Sequence, residues 1–185
     1  RPAPARLAAL PHTEGRLLTF GSMAKSHGLA SVRVGWLTGT RHLVAPCAAA
    51  SLLSAPFVAP LCQQVALHAL QNTTITTTLR DEFNRRREYV ATRLRSSSFQ
   101  PWDAHAGFFF WMPVPTGETA AVFAQRLLSQ TGVLVNPGGP FGPSGERYLR
   151  LSFALPEGRL GAGLTRLADF MQQGLPPLPV EAPTV

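Results

Sequence analysis

Along residues 147–154 (RYLRLSFA) the side chains alternate. Tyr148, Arg150 and Ser152 fall on one face and Leu149, Leu151 and Phe153 on the other, the period of a half-buried strand. Residues 107–113 (GFFFWMP) and 132–136 (GVLVN) predict two more strands, the second followed by the loop PGGPFGPSGE. Near the start, residues 16–22 (RLLTFGS) predict a buried strand and 33–39 (RVGWLTG) a second. The small-residue segment GSMAKSHGLASV between them reads as a loop. Longer periods mark helices. Residues 60–71 open on Pro60 and carry apolar residues at helical spacing. Residues 73–96 place Phe83, Tyr89 or Val90, and Leu94 on one stripe, with Arg and Glu elsewhere. Residues 116–131 and 156–173 predict two further helices, each stopped by a Gly. No internal repeat is apparent.

This order divides the chain. Ser96-Ser97-Ser98 and Pro101 end the long helix, and beyond this break the residues form a compact α+β pattern. The expected organisation is a first domain over 1–72, a connecting helix over 73–96, a second domain over 97–173 and a Pro-rich, flexible tail over 174–185.

One apolar run needs weighing. No Asp, Glu, Lys or Arg lies between Arg41 and Arg80, and residues 43–62 (LVAPCAAASLLSAPFVAPLC) are long enough to span a bilayer. Pro46, Pro56 and Pro60 interrupt the run, Ala and Ser fill much of it, and Gln63, Gln64 and His68 follow at once. A buried, Pro-broken segment fits better than a membrane span.

Composition changes the picture in two ways. The 185 residues are 45% hydrophobic and 15% charged, which excludes a disordered chain, and they are enough for a sizeable core. The net charge of +7 invites a nucleic-acid partner. The 17 basic residues, however, comprise sixteen Arg and the single Lys25, and aromatics are not interleaved among them. That bias reflects a GC-rich coding background rather than a phosphate-binding face, and no nucleic-acid partner is expected. It also singles out Lys25. Cys47 and Cys62 are too few for a disulfide scaffold, no Cys/His spacing suits a metal, and reduced thiols in a cytoplasmic protein are expected. No secretory signal is visible in the first residues.

Lys25 sits after a predicted strand in a segment rich in Ser and Gly. A lysine amine so placed can form a Schiff base with an aldehyde cofactor. Ser22 and Arg33 offer a phosphate a hydroxyl donor and a cationic fork. Together the three describe an anchor for a cofactor with a reactive carbonyl at one end and a phosphate at the other.

The pattern S-x-x-K, then Gly, then R-x-G eight residues after the Lys resembles the active-site segment of class I/II aminotransferases, the fold-type-I pyridoxal-phosphate enzymes. Later patterns agree in order: a Pro-opened helix at Pro60, G-x-F-x-W at Gly107 to Trp111, and V-x-P-G followed by FG and G-x-x-Y-x-R-L-S-F-A from Val135 to Ala154. The resemblance covers about residues 14 to 173, and its flavour is closest to aspartate/alanine or diaminopimelate-type aminotransferases.

The resemblance implies an α/β chain that forms the C-terminal part of such an enzyme: the last strands of the large, cofactor-binding domain over 1–72 and the whole α+β small domain over 97–173. It implies pyridoxal 5'-phosphate as cofactor, with Lys25 as the catalytic amine and Ser22 and Arg33 on the phosphate. It implies that Arg150 grips the substrate α-carboxylate, that an amino acid and a 2-oxo acid are the substrates, and that the complete enzyme is a homodimer. The family's pyridine-pairing Asp, its ring-side Asn and a Tyr near the cofactor lie upstream of the Lys, and the 24 residues before Lys25 contain none of these residue types. Two other readings stay open: a decarboxylase or lyase of the same fold, and a non-catalytic fragment or regulator domain that keeps the fold without the reaction.

Other residues carry less. Arg147 is expected to be exposed, His27 to pack beside the site, Trp102 and Trp111 to belong to the core, and Arg85-Arg86-Arg87 to form a solvated helix face. His12, His42, His68 and His105 lack carboxylate or Cys neighbours at ligand spacing.

Overall fold

The computed structural model describes residues 15–173; the first 14 residues and the Pro-rich tail over 174–185 lie outside it. Its elements run β1 (Leu18–Ser22), α1 (Met23–Ser26), β2 (Gly35–Gly39), α2 (Arg41–Ser54), α3 (Pro60–Gln71), α4 (Thr73–Arg95), β3 (Phe109–Pro113), α5 (Ala120–Thr131), β4 (Asn136–Pro137), β5 (Tyr148–Ser152) and α6 (Glu157–Gln172). The chain divides into two compact units, Arg1–Glu82 and Phe83–Val185, and α4 contributes to both.

In the first unit β1 and β2 form an antiparallel pair with Gly21 opposite Trp36 and Ser22 opposite Gly35. The Thr19 and Thr38 hydroxyls hydrogen-bond across its exposed face. The segment between the strands is not a plain loop: Met23–Ser26 makes one helical turn and Ala30–Val32 a 3-10 turn. A small core gathers fully buried Met23 with Ala66 and Ala69 of α3, and Leu29, Val34 and Ile75 pack around it. Pro60 opens α3 in its first turn, where a missing N–H removes no helix bond.

The apolar run 43–62 is not buried in this unit. It forms most of α2, with Pro46 inside the helix, then an irregular connection and the first turn of α3. No residue of α2 is buried, and Leu52, Leu53 and Phe57 are 66–91% exposed. Leu43, Val44, Cys47 and Cys62 are half-buried, whereas the other large side chains of the run stay open among the described residues. Among the described residues no helix is long and apolar enough to cross a membrane.

The second unit is built on an antiparallel sheet of order β3-β5-β4, with Trp111 opposite Arg150 and Asn136 opposite Arg150 on the other side. The alternation read from the sequence is realised: Leu149, Leu151 and Phe153 are buried, while Tyr148, Arg150 and Ser152 are half-buried. The buried face meets the apolar sides of α5 and α6 and the last turns of α4, where Val90, Ala91 and Leu94 are buried. At roughly 25 cal/mol per Å² of apolar surface, this continuous core is the main source of the unit's stability. One buried ion pair edges it: Arg126 Nη2 donates to Glu118 Oε1 at 2.8 Å, with both side chains nearly inaccessible.

Other features also differ from the sequence reading, beginning with β1, which is expected to be buried and is half-buried with Phe20 81% exposed. The helix expected from residue 116 begins at Ala120, because Thr119 is extended and caps it by accepting the Val122 N–H. Of the strand expected over 132–136 only Asn136, joined by Pro137, pairs with β5, opposite Arg150 and Leu149 at the sheet edge. Trp102 is not core; it is 58% exposed and packs edge-on against Tyr148, with Trp111 stacked on the same ring. Both tryptophans associate with Tyr148, on the sheet face that the helices leave open. Finally, the Arg85–Arg87 run is only partly solvated. Arg85 pairs with Glu157, Arg86 lies over the Phe83 ring and Arg87 donates to Asn84 Oδ1 at 2.6 Å.

Candidate functional site

Ser22 ends β1 and caps α1. Its extended backbone turns the chain, and its Oγ accepts the Ala24 N–H at 3.2 Å. That bond uses a lone pair, so the hydroxyl proton stays available to a ligand. Antiparallel pairing continues one step beyond the strands, since the Met23 N–H donates to Val34 O at 3.0 Å. The step brings the backbone of Arg33 beside the start of α1. Lys25 lies in α1 with its side chain exposed. Thus Ser22, Lys25 and Arg33 all stand on one strand–turn–strand device.

Arg33 has φ 56°, the sole positive value at a non-glycine among the described residues. A side chain in the left-handed region is unfavourable and persists where surrounding contacts impose it. Arg33 does not begin β2, as the sequence suggests; it sits at the corner that precedes it. Its side chain is exposed, and Nη1 donates to Ala30 O at 3.3 Å, leaving other donors of the fork for an anion.

His27 is buried. Its Nδ1 lies 2.7 Å from Ser26 Oγ, which also lies 2.9 Å from Ser22 O and can donate to it. This chain of contacts ties the end of α1 back to its cap. An open depression of about 400 Å³ lies beside His27 and Gly28, walled by Asn72, Ile75 and Leu79. Lys25, Ser22 and Arg33 are not among its walls.

Arg150 belongs to the second unit, on the central strand β5. A charge in so apolar a strand calls for a buried partner or a ligand. The partners are aromatic: the guanidinium lies 4.7 Å from the Phe109 ring centre, 5.7 Å from Phe141 and 5.9 Å from Phe108. Among the described residues it makes no hydrogen bond or ion pair, so its N–H groups remain unspent. Arg147 is exposed and hydrogen-bonds instead to the carbonyls of Gly117 and Thr116. The aromatic surround of Arg150 is missed by a sequence reading that assigns the GFFFW run to a strand without sorting its faces. The two-residue period places Phe109 with Trp111 and Arg150, away from the core residue Phe110.

The donor set suits a bipolar cofactor. Lys25 could supply an amine to an aldehyde, and Ser22 and Arg33 a hydroxyl and a guanidinium to a phosphate. Residues 15–72 contain no Asp or Glu. Among the described residues no three His, Cys, Asp or Glu side chains gather as a metal site.

Comparison with known proteins gives the same direction throughout. The family model described as aminotransferase class I and II matches residues 2–167. An LL-diaminopimelate aminotransferase of Dehalococcoides mccartyi is 31% identical over 164 residues, covering 84% of this chain and 40% of that protein. Its counterpart in Nitratidesulfovibrio vulgaris is 30% identical over 168 residues, covering 90% of this chain and 43% of that protein. The chain therefore spans about two fifths of the length of the curated relatives it matches. Among solved structures, an aromatic aminotransferase from Pyrococcus horikoshii aligns with a TM-score of 0.85 at 24% identity, over 92% of this chain and 48% of that one. The N-succinyldiaminopimelate aminotransferase of Mycobacterium tuberculosis aligns at 0.79 and 26% identity, over 90% and 46%.

Proposed function

The chain belongs to the class I and II aminotransferase family, and from that premise we propose that the whole protein is a pyridoxal-phosphate-dependent aminotransferase moving an amino group between an amino acid and a 2-oxo acid. The observation that carries the reading is the placement of Ser22, Lys25 and Arg33 on one strand–turn–strand, at the spacing of the family's cofactor segment. The names of the relatives support diaminopimelate or a similar amino acid as the amino donor. Residues 1–72 then form part of the cofactor-binding domain, 73–96 a connecting helix and 97–173 the small domain. The protein acts in the cytoplasm as a homodimer.

Pyridoxal phosphate, when bound, draws electrons from the substrate Cα and makes its proton labile. The residues of this chain do the rest. Ser22 and Arg33 bind the phosphate by charge-assisted hydrogen bonds. Lys25 would hold the cofactor at its aldehyde end through Nζ, and its amine would take up and return the proton at the substrate Cα. Arg150 pairs with the α-carboxylate and so orients the Cα–H bond. The carboxylate that keeps the pyridine nitrogen protonated comes from outside residues 15–72.

Borohydride reduction of the full-length protein loaded with pyridoxal phosphate, followed by peptide mapping, tests the assignment. The pyridoxyl label is expected on Lys25, and Lys25→Ala should abolish amino transfer while the phosphate contacts retain some cofactor. A label found only elsewhere overturns the role of Lys25. Carbon dioxide or ammonia release without amino transfer would favour the same-fold decarboxylase or lyase. Absence of any turnover in a correctly loaded protein would favour the regulator.

A further inference from the structure

We propose that Phe109 and Phe141 are positioning residues for Arg150, holding its guanidinium against their rings so that its N–H groups stay available to the substrate carboxylate. The proposal rests on the reading of Arg150 as the carboxylate group's partner.

Arg150 has four rotatable bonds and no hydrogen-bonding partner among the described residues. A guanidinium of this kind ordinarily samples many rotamers and must be ordered when an anion binds. Here it lies over the rings of Phe109 at 4.7 Å and Phe141 at 5.7 Å, within the range of a cation–π contact. Rings that lie under a guanidinium occupy its flat face and leave the N–H edge open. A carboxylate needs that edge for two parallel bonds. The rings also displace water from the flat face, which strengthens the charge–charge attraction at the edge.

The placement follows from the sheet. Trp111 pairs directly with Arg150 across β3–β5, and Phe109 is its diagonal neighbour on the same face. Phe141 is supplied by the 3-10 turn Gly139–Phe141. Its ring meets Trp111 edge-on at 5.8 Å, and Trp111 is in turn stacked on Tyr148 at 5.7 Å. The turn itself is pinned by close backbone approach, since a Cβ on Gly138 or Gly145 would overlap the other's backbone. Phe109 and Phe141 are 37% and 60% exposed, so neither is placed by burial in the core. Holding the guanidinium accounts for two large apolar side chains on an open face.

The test is steady-state kinetics of the full-length enzyme with Phe109→Leu, Phe141→Leu, the double variant and Arg150→Gln. Each ring removed should raise KM for the amino acid by about two- to fivefold, with the double variant near the product and kcat little changed. Phe109→Tyr and Phe141→Tyr, which keep a ring, should restore KM. In the Arg150→Gln background the Leu substitutions should have no further effect on KM. Cofactor affinity and melting temperature report whether a Leu variant is folded. If Arg150→Gln leaves KM unaltered, the reading of Arg150 itself fails. If Arg150→Gln raises KM while the Leu variants do not, the positioning proposal fails and that reading survives. A Leu variant that loses kcat and melting temperature together with no change in KM shows a merely structural ring and also overturns it.

Discussion

Trp36 lies across Gly21 so closely that a Cβ on residue 21 would fall inside its indole ring. The two residues face each other in the β1–β2 pair, one step before Ser22. Glycine is needed here for the absence of a side chain rather than for its backbone freedom. Gly21→Ala must therefore push Trp36 off the ribbon or part the strands next to the Ser22 hydroxyl, the proposed phosphate contact. We expect a loss of several-fold or more in pyridoxal phosphate affinity, read from the cofactor's absorbance on titration. Adding Trp36→Ala should recover part of it; a single Gly21→Ala variant that binds cofactor normally contradicts the close packing.

Arg150 and Arg147 stand three residues apart on the same strand region and should answer differently to the same change. A lysine at 150 keeps the charge and loses the bidentate geometry, so KM for several amino acids should rise roughly ten- to a hundredfold, the equivalent of about 1.5–3 kcal/mol for a charged hydrogen bond. Arg147 holds only the carbonyls of Gly117 and Thr116 at the surface, and Arg147→Lys should leave the kinetics within about twofold. Equal effects at both positions would remove the special role of Arg150.

The Glu118–Arg126 pair is buried, with side chains 12% and 9% exposed. Removing one partner leaves the other charged and desolvated. Glu118→Gln should lower unfolding free energy by about 3 kcal/mol, measured by denaturant titration of the full-length protein. Glu118→Leu combined with Arg126→Met should cost less than Glu118→Gln alone, because no charge is left buried. A neutral single variant would mean that water reaches the pair.

Leu52, Leu53, Phe57 and Leu61 are 66–91% exposed in the first unit, and exposed apolar area of this kind drives association. The 185-residue chain expressed alone is expected to self-associate, to bind pyridoxal phosphate weakly and to form no glutamate from amino acids and 2-oxoglutarate. Light scattering after gel filtration, together with the coupled assay, checks all three. A monodisperse, active monomer would show that these side chains need no cover.

Much of the second unit is legible in the chain. The alternation of 148–153 depends only on the two-residue period of an extended backbone, and it places Leu149, Leu151 and Phe153 inward, where they are found. The helix over Pro60–Gln71 is marked by its opening proline, and that over Thr73–Arg95 by its period; both have local causes. The spacing of Ser22, Lys25 and Arg33 is likewise local, which is why a motif can expose it. Other features depend on contacts between distant segments. Nothing near Arg33 in the chain requires a left-handed backbone; the corner is imposed where the pairing of Met23 with Val34 joins the 3-10 turn. Size and apolar character alone predict Trp102 in the core, yet it packs on Tyr148, 46 positions away, on the face the helices do not cover. The rings around Arg150 come from residues 108, 109 and 141, brought together by β3–β5 pairing and by a turn between glycines. Periodicity assigns a side chain to a face; which side chains then meet across that face depends on strand register and loop path, and these are set by the packing of the whole unit.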